Sequence, residues 1–216
     1  MSGFAGFVVP GGAVDGALLE RMAGGLSFCA PDGTAVRVAG RAGLAHARLR
    51  TGDAGEANDR QPFSLDGQTW IVADARIDAR AELVRALGAG GIRTSADRPA
   101  AELILHAVRV WGDAAPERLR GDYAFAVWDA ERERMFCARS PFGFKAFFYN
   151  ATAGAFVFSN TLDCVRLHPA AGAALDQEWI ADFLVHGESQ SQSATVYAAI
   201  RQLDAGHTLV AEHGRV

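Results

Sequence analysis

Apolar positions follow two rhythms along this chain, one of period two and one near 3.6. Residues 3–9 (GFAGFVV) form an unbroken apolar run with small residues in it, the pattern of a buried strand that other backbones approach closely. Over 16–24 the spacing changes: Leu18, Leu19 and Met22 share one face of a short amphipathic helix. Short strands are predicted at 34–39, 43–49 and 68–74, the last bounded by the turn Asp66-Gly67, and residues 51–61 hold nothing apolar larger than Ala and read as a loop. The spacing predicts helices over 79–87 and 100–111, the second with Leu103, Ile104, Ala107, Val108 and Trp111 on one face and Gly112 as its stop. Strands 123–128 and 134–138 make a hairpin around a charged turn, and 146–149 with 155–158 make a second. A last helix over 175–185 is expected to turn Trp179, Ile180, Phe183 and Leu184 inward, and a last strand, 207–211, runs into a turn ending at Gly214.

Hairpins interleaved with helix pairs, with no repeat and no linker, predict one α+β domain over residues 1–216, its antiparallel sheets covered by helices. The expected core contains Phe4, Phe7, Val9, Leu103, Ile104, Val108, Trp111, Phe125, Val127, Phe136, Phe156 and Phe158.

Composition narrows the function. Half of the 216 residues are hydrophobic, enough for a sizeable core, and 21% are charged. The net charge of −4 and the lack of a basic stripe argue against nucleic acid or an anionic membrane as partner. Residues 1–14 lack the basic start of a signal peptide, and the longest later uncharged stretch, 146–162, is too polar to span a bilayer; a cytoplasmic location is expected. Cys29, Cys137 and Cys164 lie far apart and read as inert thiols, and the six histidines show no ligand spacing, so no metal is expected. The glycine fingerprints of nucleotide-binding loops are absent. Lys145 is the single lysine beside 20 arginines and reads as a solvated strand end.

Several segments acquire meaning together: residues 1–6 (MSGFAG), 45–49 (AHARL), Ile77 with Arg80–Leu83 after it, 102–112 (ELILHAVRVWG), 121–129 (GDYAFAVWD), Ala138-Arg139, 142–145 (FGFK), 158–159, and 203–207 (LDAGH). In this order and at these spacings the chain resembles the N-terminal glutaminase domain of the asparagine synthetase family, the class II glutamine amidotransferases. The resemblance covers nearly the whole chain. It implies the four-layer α/β/β/α sandwich of N-terminal-nucleophile hydrolases.

It also implies which residues to weigh. In that family residue 2 becomes the N-terminus, and a Cys side chain there attacks the glutamine amide while its own α-amine moves the proton. Here the position holds Ser2, either a hydroxyl nucleophile or a small residue at a crowded strand start. The family's Asn-Gly oxyanion hole falls on Asp74 and Ala75; an ionised Asp only accepts and opposes the developing negative charge, and the alternative is that Asp74 closes a strand and caps the turn into Ile77. Arg48 falls on the arginine that grips the substrate α-carboxylate. The aspartate that receives the substrate ammonium falls on Ala100, with Asp97 as a substitute if its segment bulges.

Complete family members continue into an ATP-dependent synthetase domain carrying an S-G-G-x-D-S segment. This sequence contains none, so a piece of a longer chain or one product of a split gene is expected. Degenerate amidotransferase domains of this kind are similar to those of lasso-peptide cyclases and β-lactam synthetases. Two functions follow from the resemblance: a structural or interaction domain supporting an amide-forming synthetase partner, or a Ser2 glutaminase supplying it with ammonia. Glutamine is then the small-molecule partner, a homodimer is possible, and no cofactor belongs to this domain.

Overall fold

The computed structural model of the chain describes residues 1–29, 31–50, 59–152 and 154–216. Strand β1 (Gly3–Val8) is buried at all positions because it lies inside a six-stranded sheet, between β3 (Ala42–Ala47) and β9 (Ala155–Ser159). Beyond β3 lies β2 (Thr34–Ala39), and beyond β9 lie β8 (Phe148–Thr152) and the two-residue β10 (Arg201–Gln202). A five-stranded sheet has the order β11 (Thr208–Glu212), β7 (Arg134–Arg139), β6 (Gly121–Asp129), β5 (Thr69–Ile77) and β4 (Phe63–Ser64). All of these pairings are antiparallel.

The alternation of side chains along each strand sorts the core into three apolar layers. On β5, Ile71 and Ala73 face outward onto α3 (Ala100–Trp111), which covers the five-stranded sheet together with α2 (Arg80–Ala89). Val72, between them, faces the other sheet and meets Phe4, Ala124, Trp128, Phe147 and Phe158. On the far side, Ala5 and Phe7 of β1 pack under α1 (Gly16–Gly25) and α4 (Leu162–Arg166) through Leu18, Leu19, Met22, Cys164 and Val165. Helix, sheet, sheet and helix make the four-layer sandwich that the resemblance implied.

Two glycines set how closely the strands approach. A Cβ on Gly6 would stand 2.6 Å from both the Gly43 carbonyl oxygen and the Phe158 ring, so only glycine fits there. Gly121 has φ of +135°, and a Cβ on it would fall 2.0 Å from the Arg76 carbonyl oxygen, at the end of β5 that reaches the site.

Most expected elements form, with shifted ends. The strand expected to stop at residue 74 continues to Ile77, because β6 pairs with it to that point. β8 begins two residues later than expected, β3 stops at Ala47, and the short β4, β10 and α4 carry too little periodicity to be read in advance. Residues 51–58 of the expected loop lie outside the described residues. Nine of the twelve expected core residues are buried; Val9, just past β1, and Val108 and Trp111, in the last turn of α3, are half-buried. The expectation for the last helix is corrected: α5 (Gln177–His186) buries none of its residues, and Phe183, Leu184 and Val185 are exposed. Its apolar spacing is real, but no further layer lies over it. Among the described residues, no helix is long and apolar enough to cross a membrane.

Candidate active site

The N-terminal end of β1, the end of β3, the middle of β5 and the start of α3 converge on one cavity of about 390 Å³. Ser2, Arg48, Asp74, Ala75 and Ala100 all line it, so the fold brings together every residue that the resemblance singled out.

Ser2 is fixed from both sides. Asn160 donates through Nδ2 to the Ser2 carbonyl at 2.8 Å and accepts through Oδ1 from the Phe4 N–H at 2.9 Å, which ties the start of β1 to the end of β9. The register that sets Gly3 opposite Ala47 carries Leu49 past Ser2, and the Leu49 N–H donates to Ser2 Oγ at 3.2 Å. Arg48, one residue earlier, directs its Nη1 to the Asp59 carbonyl and its Nη2 to the Asp32 carbonyl, both at 3.3 Å. It lines the cavity with those donors turned to backbone.

Asp74 departs from the capping role offered as its alternative. It sits inside β5, paired with Ala124, and is only 6% exposed. Its partner is Lys145, which donates to Oδ1 at 3.0 Å; Nζ is 3.0 Å from Oδ2 as well but is aligned for a hydrogen bond only with Oδ1. Lys145 is therefore no solvated strand end: its side chain is 18% exposed, and its charge is turned into the cavity. Burial pushes the Asp74 carboxyl above the usual carboxylate range, and Lys145, the chain N-terminus and the Ser2 backbone N–H pull it back only in part. The neighbouring Ala75 has no polar side-chain atom to donate.

The segment before Lys145 is held by Arg139, whose Nε, Nη1 and Nη2 donate to the carbonyls of Lys145, Leu203 and Gly143 at 2.8, 2.7 and 2.6 Å. Lys145 and Arg80 are the site residues that sequence reasoning missed. Lys145 had two signals, its being the only lysine and its place in the 142–145 segment of the resemblance; Arg80 had only its place in the segment after Ile77. Arg80 donates through Nε to the Ile77 carbonyl and through Nη1 to those of Ala96 and Arg98, at 3.0, 3.2 and 2.7 Å. Asp97 does not replace the missing aspartate: it is solvent-exposed, bonded to Ser95 Oγ, and does not line the cavity, whereas Ala100 does as the first residue of α3.

Of the thiols, Cys137 and Cys164 are buried, and burial pushes Cys164 up to about 12. Cys29 is half-buried and near enough to the N-terminus and Asp74 to feel both, but burial holds it protonated as well. Among the described residues, no group of three His, Cys, Asp or Glu could hold a metal ion. The arrangement offers a hydroxyl at Ser2, cations at Arg48, Arg80 and Lys145, and an acceptor at Asp74.

Residues 1–216 match the family model described as the glutamine amidotransferase domain. The chain is 29% identical over 196 residues to asparagine synthetase (glutamine-hydrolyzing) 3 of Bacillus subtilis strain 168, covering 88% of this chain and 31% of that protein. It is 27% identical over 197 residues to asparagine synthetase (glutamine-hydrolyzing) 2 of the same organism, covering 89% of this chain and 26% of that protein. This chain thus spans under a third of the length of these relatives. Its fold is similar to that of the glutamine phosphoribosylpyrophosphate amidotransferase from B. subtilis complexed with ADP and GMP. The TM-score is 0.64 and the identity 14%, over 97% of this chain and 47% of that one.

Proposed function

This chain belongs to the glutamine amidotransferase domain family and is related to the asparagine synthetases, and from that premise we propose that it serves a cytoplasmic ATP-dependent amide-forming ligase as a domain whose glutaminase chemistry is lost or impaired. Its role is then structural, supporting a synthetase domain of the kind that the relatives' greater length accommodates. The observation that carries this reading is Asp74, buried and paired with Lys145 at 3.0 Å beside Ser2. A carboxylate there cannot donate to the oxygen that becomes negative when an amide is attacked. Loss of one oxyanion donor costs about 10²–10³ in rate. Ala100 further removes the group that would receive a glutamine ammonium.

The opposing reading, an N-terminal serine glutaminase that delivers ammonia, draws on Ser2 at the cavity with its hydroxyl oriented by the Leu49 N–H. Glutamate release from glutamine separates the two, measured on protein whose N-terminus has been defined by mass spectrometry. The expected result is no release above a Ser2→Ala control; turnover clearly above that control overturns the proposal.

A further inference from the structure

The charges around the cavity are poorly matched to a zwitterion. Arg48 and Arg80 each turn two guanidinium nitrogens to backbone carbonyls, and a carbonyl satisfies a donor without cancelling the unit charge behind it. Of the three aspartates on the wall, Asp74 is paired with Lys145 and Asp78 with Arg76, while Asp59 accepts from the neutral Gln61 Nε2 and keeps its charge beside Arg48. The bonds from Arg80 to Ala96 and Arg98 draw its guanidinium toward the segment that leads into α3, where Ala100 lines the cavity. α3 is twelve residues long and no side chain caps it at Pro99, so its N-terminal dipole adds positive potential at that same end, offset in part by Glu102 in its first turn. A free amino acid lying along Arg48 would thus set its α-ammonium against a guanidinium, a helix N-terminus and an alanine methyl. Its carboxylate would be attracted by the same surroundings.

We propose that this cavity binds an α-carboxylate whose nitrogen carries no charge, an N-acylated amino acid, in preference to a free amino acid. Acylation removes the repelled charge and adds a small neutral group at the Ala100 end. A volume of about 390 Å³ falls within the roughly 300–1,000 Å³ of small-molecule sites and leaves room for that group. Loss of Met1 moves the α-ammonium, which already acts on Asp74, onto Ser2 and so keeps one positive charge on the wall. This inference rests on the site assignment used for the proposed function, but it concerns binding and is independent of turnover.

Calorimetric titration of the full chain, its N-terminus defined by mass spectrometry, with N-acetyl-L-glutamine and with L-glutamine at neutral pH tests it. N-acetyl-L-glutamine should bind about tenfold tighter or more, the equivalent of about 1.4 kcal/mol. Ala100→Asp should reverse the order, tightening L-glutamine and weakening its acetylated form, while Arg48→Gln should weaken both. L-glutamine binding as tightly as N-acetyl-L-glutamine, no binding of either, or a folded Ala100→Asp variant with an unchanged ratio would each overturn the proposal. If Ala100→Asp does not fold, the two probes on the unaltered chain decide alone. Glutamate release from glutamine would overturn the impaired-glutaminase reading and leave this preference standing; equal affinities would do the reverse.

Discussion

Removing the cation from the Asp74–Lys145 pair while leaving the carboxylate gives a measurable account of how the cavity is held. Lys145→Met keeps most of the stem and strips the charge, leaving a carboxylate that is 6% exposed without the cation it touches. At 3.0 Å the direct attraction is about 5.5 kcal/mol for an effective dielectric constant of about 20. Relaxation and the remaining dipoles recover part of it, and orphaning one member of a buried pair costs about 3–5 kcal/mol. In a domain of this size about 1 kcal/mol moves the melting midpoint by roughly 2–4 °C, so a fall of roughly 6–20 °C is expected near pH 7. The sign with pH follows from Asp74 itself. Burial already holds its carboxyl above the usual carboxylate range, and losing Lys145 raises it further. A carboxyl that holds its proton more tightly when folded destabilises nothing below its unfolded pKa, and its penalty grows as the pH rises toward the folded value. The deficit of Lys145→Met should therefore be small near pH 4 and full near pH 7. Asp74→Asn combined with Lys145→Met should recover most of it, because a neutral amide tolerates that position without a counter-ion. Thermal melts followed by circular dichroism at both pH values would show this. An equal deficit at both, or a double variant as unstable as Lys145→Met alone, would refute the reasoning.

Ser2→Cys with Met1 removed should not by itself give glutaminase activity, because the intermediate would still face Asp74; adding Asp74→Asn and Ala75→Gly should give the first detectable glutamate release, and substantial activity from Ser2→Cys alone would overturn the placement of Asp74 at the oxyanion position. His46 is buried, and burial first and Arg48 second push its imidazole from 6.5 down to about 4. A base held neutral in the fold gives stability that is complete above its unfolded pKa and lost as the pH falls toward the folded value, about 3 kcal/mol between pH 6.5 and 4; denaturant melts of His46→Gln should show a flatter acid limb, and an unchanged slope would count against this account.

The α+β class and its core faces were legible because apolar positions recur at the right period, whereas the four-layer stacking came from the resemblance. The run from Phe4 to Val8, the α3 face with Leu103 and Ile104, and the hairpin strands carrying Phe125, Val127 and Phe136 are all buried as their spacing required. Spacing could not say whether a partner layer exists, so α5, with the same kind of signal, was expected inside and is exposed. The cavity residues were legible only through resemblance. Ser2 and Ala100 are 98 positions apart and carry no pattern of their own; registers such as Gly3 opposite Ala47 bring their elements together. Lys145 was misread for a related reason. A lysine beside two exposed phenylalanines, Phe142 and Phe144, looks like a surface residue, and nothing local to it reveals that β5 presents Asp74 71 positions away.

Under the proposed function the cavity persists without its chemistry because different groups maintain the walls and the reaction. Its walls are held by bonds that no substrate enters: Asn160 on the Ser2 carbonyl, Arg139 on three carbonyls around Lys145, and Arg80 on three more between β5 and α3. Positions 74, 75 and 100, which the resemblance aligns with the oxyanion hole and the ammonium acceptor, carry a paired aspartate and two alanines. On the proposed reading, these residues leave the site without an oxyanion donor and an ammonium acceptor while the cations of the wall stay in place. Lys145 makes the change at position 74 tolerable, since a carboxylate buried there alone would carry the penalty worked out above. A domain so altered would lose turnover first and its affinity for carboxylates last. Separating the two, by titrating binding and assaying hydrolysis on the same N-terminally defined protein, is thus the measurement on which both proposals turn.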